Sequence, residues 1–404
     1  MLPIEITSGI YWVGSNDRSS EYFEGMWPIK HEGISFNSYL IKDQKNAVID
    51  LSGESFADDL LDRMSKIVPL AEIDYIVVNH MEPDHTGALR ILTQVAPHAV
   101  IIGTQKTKEM LASFYNITEN VRVVTDGELL SLGTHELRFL STPFLHWPET
   151  MMTYETSSKV LFSCDAFGGY GALNGSIFDD AAIDVSWYEH QALRYYANIL
   201  STFSKPVRTA VAKLKELEVA ITAPSHGLVW RKSPTRMHDL YQKWAAYAGA
   251  PAEPGVTLIF ASIYGNTERM MEVVAQGVAD ECVPLSIFNV SVTNASYILP
   301  ELLTRQGVLV GSPTYEGGLF PGMGSLLEMA SIKHISNRCT SRFGSHAWNG
   351  GAQNEFARMA EKLRWQLCGD FEFSGMPDQA ELDGGREFGA AFARQVKESA
   401  LKTG

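Results

Sequence analysis

The stretch Tyr-Ile-Val-Val-Asn-His-Met-Glu-Pro-Asp-His, residues 75–85, is the part of the sequence that most restricts the fold. Its apolar start predicts a buried strand, and possible metal ligands follow directly at His80, Glu82, Asp84 and His85. The proline at position 83 argues against a continuing helix, so we expect an extended loop with residues 80, 82 and 84 on one side and His85 on the other. A charged loop without metal is the alternative. One ion cannot readily use all these donors, but a pair of ions can divide them.

Three further candidate ligands follow strand-like segments later in the chain. His146 lies in Phe-Leu-His-Trp-Pro, Asp165 ends the apolar segment Leu-Phe-Ser-Cys-Asp, and His226 lies in Ala-Pro-Ser-His-Gly. A carboxylate at the end of a buried strand is costly unless it is paired. The remaining histidines lack this strand-end position, so we expect surface or packing roles for His31, His98, His135, His190, His238, His334 and His346.

Short strand candidates dominate the first 250 residues, and helical segments lie between them. This mixture predicts sheets with helices packed outside. The strand candidates are residues 47–51, 75–78, 100–103, 121–124, 137–140 and 160–163, and the helix candidates are residues 56–67, 106–114 and 233–248.

The segment Ala-Pro-Ala-Glu-Pro-Gly, residues 250–255, is the clearest seam, because two prolines and a glycine disfavour regular structure. We therefore expect one domain over residues 1–250 and a second over residues 256–404. In the second, strands alternate with helices, which is the pattern of a doubly wound parallel sheet. The strands are predicted at 256–260, 284–289 and 308–310, and the helices at 268–279 and 298–303.

Three polar loops follow strands of this second half. The loop Ser-Ile-Tyr-Gly-Asn-Thr, residues 262–267, precedes a helix, so its N–H groups and the helix dipole favour an anion such as phosphate. A polar turn with a helix cap is the alternative. The loops at 311–318 and 344–351 each carry one large aromatic residue among glycines, Tyr315 and Trp348, which suits stacking on a flat ring. Loops at one sheet edge predict a ligand site.

These three loops resemble those of the flavodoxin family, and the resemblance covers roughly residues 256–404. It implies that FMN binds with its phosphate on the first loop and its isoalloxazine between the other two, with Trp348 the better stacking candidate and Tyr315 the weaker. The residues assigned to FMN in this way are Ser262, Ile263, Tyr264, Gly265, Asn266, Thr267, Ser312, Pro313, Thr314, Tyr315, Glu316, Ala347, Trp348, Asn349, Gly350 and Gly351.

The order of the N-terminal ligands resembles the metallo-β-lactamase superfamily over residues 1 to about 250, which implies an αββα sandwich. The hydrolases of that superfamily carry histidine at the position held here by Glu82. Four imidazoles with three carboxylates form a harder, more anionic set than a histidine-rich zinc site. Such a set suits a pair of irons that change oxidation state.

A lactamase-like half with this ligand set, followed by a flavodoxin-like half, resembles the flavodiiron proteins over the whole chain. The resemblance implies a pair of irons bridged by Asp165 and by a hydroxide or oxo group. It assigns one iron to His80, Glu82 and His146, and the other to Asp84, His85 and His226. It also implies an oxidoreductase that takes electrons from FMN and reduces dioxygen to water, nitric oxide to nitrous oxide, or both.

Two further residues come from the same resemblance. Tyr195 matches a tyrosine that lies behind the iron ligands in the family, although it is equally compatible with a core aromatic on a helix. Glu24 stands in the loop over the diiron pocket, where many relatives have histidine. Because that loop helps to line the pocket for the gas, a preference for dioxygen or for nitric oxide is not transferred to this chain.

Composition excludes several other classes of protein. The chain has 404 residues, a net charge of −14 and no basic block, so binding to nucleic acid or to an anionic membrane is disfavoured. No apolar run is long enough to span a bilayer, and the N-terminus lacks a signal-peptide pattern, so we expect a cytoplasmic protein. The four cysteines form no Cys-x-x-Cys motif and are expected to be small buried residues: Cys164, Cys282, Cys339 and Cys368.

The flavodiiron resemblance also implies partners. It implies a homodimer or homotetramer with a head-to-tail arrangement, in which the flavin of one subunit faces the irons of another. The sequence contains no rubredoxin-type Cys-x-x-Cys module, so we expect an external electron donor such as a rubredoxin or a reduced cofactor. Two rival functions are a zinc-dependent hydrolase fused to a flavodoxin-type electron carrier, and a non-enzymatic carrier with a structural metal.

Overall fold

Two large sheets form the first unit, Met1–Gln242, of the computed structural model, which describes residues 2–249 and 251–401. The seven-stranded sheet has the order β1-β2-β7-β8-β9-β10-β11, and the five-stranded sheet has the order β12-β13-β14-β15-β16. Two small hairpin-like pairs, β3-β6 and β4-β5, accompany them. The strands are β1 (Ile4–Thr7), β2 (Ile10–Trp12), β3 (Ser15–Asp17), β4 (Tyr22–Phe23), β5 (Trp27–Pro28), β6 (Ile34–Phe36), β7 (Tyr39–Ile41), β8 (Asn46–Ile49), β9 (Ile73–Val77), β10 (Val100–Gly103), β11 (Val121–Val123), β12 (Leu129–Ser131), β13 (Glu136–Ser141), β14 (Met151–Glu155), β15 (Val160–Cys164) and β16 (Ile221–Pro224).

Some helices of the first unit pack on the seven-stranded sheet. Others come between or after the last strands of the five-stranded sheet in the sequence. Leu60, Leu92 and Leu111, from three different helices, share one buried core with Val48 and Ile76 of the sheet. Burying such side chains stabilises the unit by about 1.5–3 kcal/mol each. The helices are α1 (Ala57–Ser65), α2 (Pro83–Thr86), α3 (Leu89–Val95), α4 (Gln105–Tyr115), α5 (Val185–Tyr195), α6 (Ser204–Leu214) and α7 (Arg236–Ala246).

Parallel pairing places the ends of several strands at shared sheet edges. β8, β9 and β10 are mutually parallel neighbours, so the segment after β9 that begins at His80 lies beside the end of β8. β15 and β16 are also parallel, with Cys164 opposite Pro224, so Asp165 and His226 follow at one edge. The edges of the two sheets are joined where the Thr153 hydroxyl donates to the Asn79 side chain at 2.7 Å. The segments that follow these strands and carry candidate ligands therefore lie at neighbouring sheet edges of the first unit.

The second unit, Lys243–Gly404, is built on one parallel five-stranded sheet with the order β18-β17-β19-β20-β21. This is the doubly wound pattern, and it confirms the predicted α/β fold class. The strands are β17 (Glu253–Phe260), β18 (Leu285–Asn289), β19 (Arg305–Gly311), β20 (Cys339–His346) and β21 (Gln366–Ser374), and the helices are α8 (Asn266–Asp280), α9 (Ala295–Thr304), α10 (Pro321–Ile332), α11 (Ala352–Leu363) and α12 (Gln379–Leu401).

Helices α8 and α12 approach each other closely because glycine lies at their contact. A Cβ atom on Gly277 would come within 1.9 Å of the Arg386 carbonyl, and one on Gly389 within 2.1 Å of the Val274 carbonyl. A side chain at either position would push the helices apart. This contact fixes α8, whose first turn faces the predicted phosphate loop.

Two predicted boundaries differ from the structure. The segment 250–255 does not exclude regular structure, since β17 begins at Glu253 and contains Pro254 and a glycine; Ala250 lies outside the described residues. A register shift between Glu253 and Val256 accommodates the proline at this strand start. Helix α7 begins at Arg236 rather than at position 233. The predicted domain limits of 1–250 and 256–404 stay predictions.

The expectation of four buried cysteines is wrong. Cys164 and Cys339 are buried, but Cys282 is exposed and Cys368 is half-buried. Cys282 follows the end of α8 in a turn, where a side chain projects into solvent.

Among the residues that the structure describes, no helix has both the length and the apolar character needed to cross a bilayer.

Candidate metal centre and flavin pocket

Seven side chains of the first unit converge in two groups around Asp165. The Asp165 Oδ2 atom lies 3.4 Å from His80 Nε2 and 3.2 Å from His146 Nε2. Its Oδ1 atom lies 2.8 Å from His85 Nε2 and 3.3 Å from His226 Nε2. One carboxylate thus directs one oxygen to each group, which is the arrangement of a bridging ligand.

Each group is completed by a second carboxylate. The Glu82 Oε2 atom lies 3.2 Å from His80 Nε2 and 3.1 Å from His146 Nε2. Asp84 completes the other group, with its oxygens 3.5 Å from His85 Nε2 and 3.4 Å from His226 Nε2. The ligand atoms of His80, Glu82, His146 and Asp165 lie within 4.8 Å of one another, as do those of Asp84, His85 and His226.

The second group fits a cation because its buried atoms have no hydrogen-bond partner. Both oxygens of Asp84 and of Asp165, and the Nε2 atoms of His85 and His226, are buried without a hydrogen bond. Their N···O distances are within ion-pair range, yet the atoms are not aligned as hydrogen bonds, because all point towards a shared centre. A buried polar atom left unpaired costs about 1–3 kcal/mol. Two cations satisfy all of these atoms at once.

In two of the imidazoles, a hydrogen bond from Nδ1 to a residue outside the ligand set fixes the tautomer. His80 donates from Nδ1 to Glu149 Oε1 at 2.7 Å, and His226 donates from Nδ1 to the Ser35 carbonyl at 2.7 Å. A ligating histidine is commonly oriented in this way, which leaves Nε2 free for the metal. Glu149 is buried and also accepts from the Met81 backbone N–H at 2.9 Å.

The electrostatics of the metal-free centre show how strongly it favours cations. Burial acts to lower the pKa of each imidazole, but the surrounding carboxylates outweigh it. They raise the pKa of His80 and His226 to about 10. The pKa of His85 and of His146 is raised to about 9 by the same balance. Protons thus hold the positions that a metal pair would take.

The pKa values of two of the carboxylates are shifted in the opposite direction, below their usual range. Burial acts to raise the pKa of Glu82, but hydrogen bonds from His146 and His80 lower it to about 2. Asp165 is fully buried, and the imidazoles that face it, His85 first, hold its pKa well below the usual range. Both groups are therefore anionic throughout the physiological range.

An aromatic shell and a small pocket adjoin the centre. Phe23, Phe36 and Tyr195 each place their ring centroid 5.6 Å from that of His226. A cavity of about 320 Å³ is lined by Glu24, Glu82 and other residues of the same region. Glu24 accepts a hydrogen bond from Trp27 Nε1 at 3.2 Å, and burial, followed by the Glu82 charge, raises the pKa of Glu24 to about 7.

The structure corrects the local geometry predicted for residues 80–85. Pro83 does not end helical structure but begins the short helix α2, where proline at the first position is favoured. The alternation of residues 80, 82 and 84 on one side is therefore wrong. Glu82 faces the His80 group, whereas Asp84 shares its group with His85.

The flavin pocket of the second unit is a cavity of about 470 Å³ at the carboxyl ends of β17, β19 and β20. Its open side carries large exposed rings, since Tyr264 and Trp348 are each 92% exposed and Tyr315 is 45% exposed. The predicted FMN residues that line it are Ser262, Ile263, Tyr264, Asn266, Thr267, Pro313, Thr314, Tyr315, Glu316, Ala347, Trp348, Asn349 and Gly350.

Three predicted FMN residues support the pocket without lining it. Gly265 has φ of 90° and caps α8, while Ser312 is buried and accepts a hydrogen bond from the Phe320 backbone N–H at 3.1 Å. Gly351 allows a close approach, because a Cβ atom there would lie 2.2 Å from the Gly317 carbonyl.

A phosphate-bearing flavin fits this pocket on two grounds. The Ser262 hydroxyl holds the first loop by accepting from the Gly265 and Glu268 backbone N–H groups, at 3.1 and 3.3 Å, at the positive end of α8. The Nδ1 atom of His346 is buried without a hydrogen-bond partner. His346 also lies in the lining of the cavity, so a polar side chain stands beside the place where the ligand would bind.

Several functional candidates were missed by the sequence reasoning. His346 is not a surface or packing residue but lines the flavin pocket at the end of β20, and its signal was the same strand-end position used for the metal ligands. Gly317 and Ser345 lie in the predicted loops 311–318 and 344–351 but were not assigned to FMN, and Gly375 lies outside the predicted loops. In the first unit, Glu149 follows His146 closely in sequence, but no pattern marked it, and Ser35 acts through its backbone carbonyl.

Comparisons with known proteins cover both units. The family described as "ODP family beta lactamase" matches residues 34–227. The anaerobic nitric oxide reductase flavorubredoxins of Escherichia coli O1:K1 / APEC and of Shigella flexneri are each 36% identical over 400 residues, which is 98% of this chain and 82% of theirs.

Solved structures are similar over nearly the whole chain. The rubredoxin oxygen:oxidoreductase of Desulfovibrio gigas has a TM-score of 0.93 at 26% identity and covers 99% of this chain and 100% of its own. The flavodiiron protein of Giardia intestinalis has a TM-score of 0.92 at 27% identity and covers 100% of this chain and 98% of its own.

Proposed function

The chain belongs to the flavodiiron protein family, and on that premise we propose that it is an oxidoreductase that reduces dioxygen to water, nitric oxide to nitrous oxide, or both. The observation that carries the proposal is Asp165, which directs one oxygen to each of two groups of metal ligands. When bound, a pair of irons and FMN supply the electrons for this reduction.

The first unit would hold the ions through two sets of side chains that share one carboxylate. His80, Glu82 and His146 form one set, Asp84, His85 and His226 form the other, and Asp165 belongs to both. Three carboxylates offset most of the charge of two divalent cations. The hydrogen bonds from His80 to Glu149 and from His226 to the Ser35 carbonyl keep the ligating nitrogens directed at the centre.

Glu24 is placed to supply protons. Both reductions consume protons, and Glu24 is a solvent-exposed carboxyl group with a raised pKa at the edge of the pocket, so it can pass protons from solvent towards the centre. Its Oε2 atom is oriented by the Trp27 indole, and its pocket is shared with Glu82. We expect Glu24→Gln to keep its iron and FMN but to lose about tenfold or more in kcat, within the range for a general acid, with a changed pH profile.

The apolar surroundings suit a small uncharged substrate. Phe23, Phe36 and Tyr195 border the His226 side of the centre, and all are largely or fully buried. Such a shell excludes bulk water and admits a diatomic gas. Tyr195 is proposed to help shape this shell rather than to bind metal.

The rival zinc hydrolase is not favoured by any relative described above. Metal analysis separates the two functions, because the proposal requires iron with FMN in the same preparation. A protein that bound only zinc and cleaved an ester or amide substrate would contradict the proposed reductase.

The quaternary arrangement is a further part of the proposal. Tyr264 and Trp348 are almost fully exposed at the mouth of the flavin pocket, which suits a surface covered by another subunit. A head-to-tail homodimer, or a homotetramer built from such dimers, would bring the flavin of one subunit to the iron ligands of another. Sedimentation with parallel activity assays tests this, and a monomer with full turnover would contradict it.

The electron donor and the cellular location are also part of the proposal. A rubredoxin-type protein or a reduced cofactor would reduce FMN, since the names of two similar proteins include a rubredoxin element. We also propose a cytoplasmic location, since the four cysteines are free, as is usual in a reducing compartment.

The decisive test uses the full chain loaded with iron and FMN. The chemically reduced protein is mixed anaerobically with dioxygen or with nitric oxide, and kcat/KM is measured for each. Rapid consumption of at least one gas is expected, and the ratio gives the preference that the sequence leaves open. Failure to consume either gas with both cofactors bound would overturn the proposed function.

A further inference from the structure

Arg342 is a fully buried arginine on β20, directly below the segment that enters the flavin pocket. Its Nε and Nη2 atoms donate to the two oxygens of Asp370 at 2.7 and 2.9 Å, and Nη2 also donates to Glu372 Oε1 at 2.8 Å. Both carboxylates come from the neighbouring strand β21. The planar guanidinium thus donates to Asp370 through two N–H groups at once, which a lysine side chain cannot do.

The same side chain reaches the second flavin loop. Its Nη1 atom donates to the Ser312 carbonyl at 3.2 Å, and the residues that follow Ser312 line the pocket. A Cβ atom on Gly344 would lie 1.9 Å from that carbonyl oxygen and 2.9 Å from Nη1. The strand and the loop therefore touch directly, and Arg342 fixes the contact.

Glu372 extends the network to the third flavin loop. A Cβ atom on Gly350 would lie 2.8 Å from Glu372 Oε2, so this carboxylate packs against the loop that carries Trp348. One buried guanidinium thus connects the second and third loops, between which the ring system would lie.

Charge gives Arg342 a second role. Among the described residues that line the pocket, none is lysine or arginine, and Glu316 adds a negative charge. FMN is itself anionic, and its reduced form carries additional negative charge. With Arg342, the cluster behind the pocket has a formal charge of −1, from one guanidinium and two carboxylates. Without Arg342, two unpaired carboxylates would remain there.

We propose that Arg342 is a positioning residue of the flavin site, which fixes the two ring-binding loops through Ser312 and Glu372 and balances the carboxylates behind the pocket. The inference rests on the proposed binding of FMN. It concerns how tightly the flavin is held and how readily it accepts electrons, neither of which depends on the iron pair.

Arg342→Gln tests the proposal in the full chain, freed of flavin and then titrated with FMN. Quenching of flavin fluorescence gives the Kd, and a redox titration of the bound flavin gives its midpoint potential. We expect the Kd to rise about tenfold or more, because charged hydrogen bonds are lost. We expect the midpoint potential to fall, because the reduced, more anionic flavin is disfavoured beside unpaired carboxylates.

Arg305→Gln is the matched control. Arg305 also has two carboxylate partners, Glu301 at 3.4 Å and Glu253 at 3.8 Å, but it begins β19 at the sheet edge opposite to the flavin loops. We expect its substitution to leave the Kd and the midpoint potential of FMN unchanged.

Two further variants keep the proposal testable if Arg342→Gln does not fold. Arg342→Lys keeps the charge but loses the fork, so the Kd should rise while the midpoint potential stays near that of the unmodified protein. Glu372→Gln removes one negative charge, so the midpoint potential should rise, opposite in sign to Arg342→Gln. Circular dichroism before titration identifies the folded variants.

The outcomes separate this inference from the proposed function. If the unmodified chain does not bind FMN, the proposed function fails. If it binds FMN but the folded variants at positions 342 and 372 match Arg305→Gln in Kd and midpoint potential, the role of Arg342 is overturned.

Discussion

The metal centre and the flavin pocket are built on opposite principles, although both lie at strand ends. The metal centre consists of buried ionisable side chains whose inward-facing atoms, such as His85 Nε2, His226 Nε2 and both Asp165 oxygens, have only one another as neighbours of opposite charge. The flavin pocket consists of open loops with neutral polar groups and exposed rings, such as Tyr264 and Trp348. The comparison teaches that the first site is specified by the charges of its side chains, whereas the second is specified by the backbone shape of its loops and by aromatic surfaces.

We expect the largest effect on iron content from a substitution at Asp165, the carboxylate shared by both groups of ligands. Asp165→Asn removes the charge shared by both ligand groups, so bound iron and gas reduction should fall by more than the roughly hundredfold that loss of an outer partner costs. Flavin content should stay unchanged. Iron analysis and flavin absorbance on one preparation measure both.

The control for that variant is Asp179→Asn in the same unit. Asp179 is also buried, but its carboxylate accepts only from backbone N–H groups, including that of Ser233 at 3.0 Å. We expect it to lower stability and to keep iron. Equal loss of iron in both variants would contradict a specific role for Asp165.

A smaller effect is expected from Glu149→Gln, which acts through His80. The amide can present its NH₂ group to Nδ1 and weakens the fixed tautomer, so iron affinity should fall by about 10–100-fold. Glu155→Gln is matched to it, because Glu155 is buried and lies 3.1 Å from His135 Nδ1, away from the ligand groups. Metal titrations should show weakened binding only in the first variant.

On the flavin side, Trp348→Ala should weaken FMN binding by roughly threefold to tenfold, the range for one aromatic stacking contact. Because the pocket is preformed, iron content and the fold of the chain should not change. Fluorescence titration of the flavin-free protein checks the first expectation, and iron analysis checks the second. Loss of iron in this variant would show that the two sites are not independent.

The smallest effect concerns pH and exists only without metal. The imidazoles of His80, His85, His146 and His226 have a raised pKa in the folded chain, about 9 to 10. Their contribution to stability is therefore complete below the unfolded value of about 6.5 and is lost as pH rises through 9 to 10. The Tm of the metal-free protein should therefore fall as pH rises from 7 to 10, and thermal melts in the presence of a chelator measure this fall.

The iron-loaded protein gives the contrast for that measurement. Its imidazoles are neutral ligands, so metal replaces the protons and the same pH range should leave its Tm nearly unchanged. A metal-free protein with a flat Tm over this range would show that the carboxylates do not govern the empty centre.

Sequence reasoning reached nine of the 21 strands of the described residues, those whose residues are apolar in continuous runs. Its strand candidates lie within a few residues of β8, β9, β10, β11, β13 and β15. It failed at two prolines that it interpreted as breakers, since Pro83 begins a helix and Pro254 lies within a strand start. The local environment of each proline, not its presence, decided the outcome.

For the candidate site, the sequence supplied the residue types and their order along the chain. Ligands at strand ends could be chosen because polar residues after apolar runs are conspicuous. Glu149, Ser35 and Arg342 could not be found in this way. Each acts through a contact with a segment remote in sequence, or through a backbone carbonyl that no residue type reveals.

The sequence by itself determined that this chain carries seven possible ligands for a metal pair, one loop suited to a phosphate and two suited to a flat ring, because residue chemistry and strand periodicity are local properties. Residue types and spacing did not decide how the ligands are divided, which only the family resemblance implied; the tertiary structure shows the division directly, with Glu82 and Asp84 in different groups and one Asp165 oxygen directed to each. The physical reason is that parallel strand pairing and the turn of α2, rather than spacing along the chain, set which charges share a buried centre.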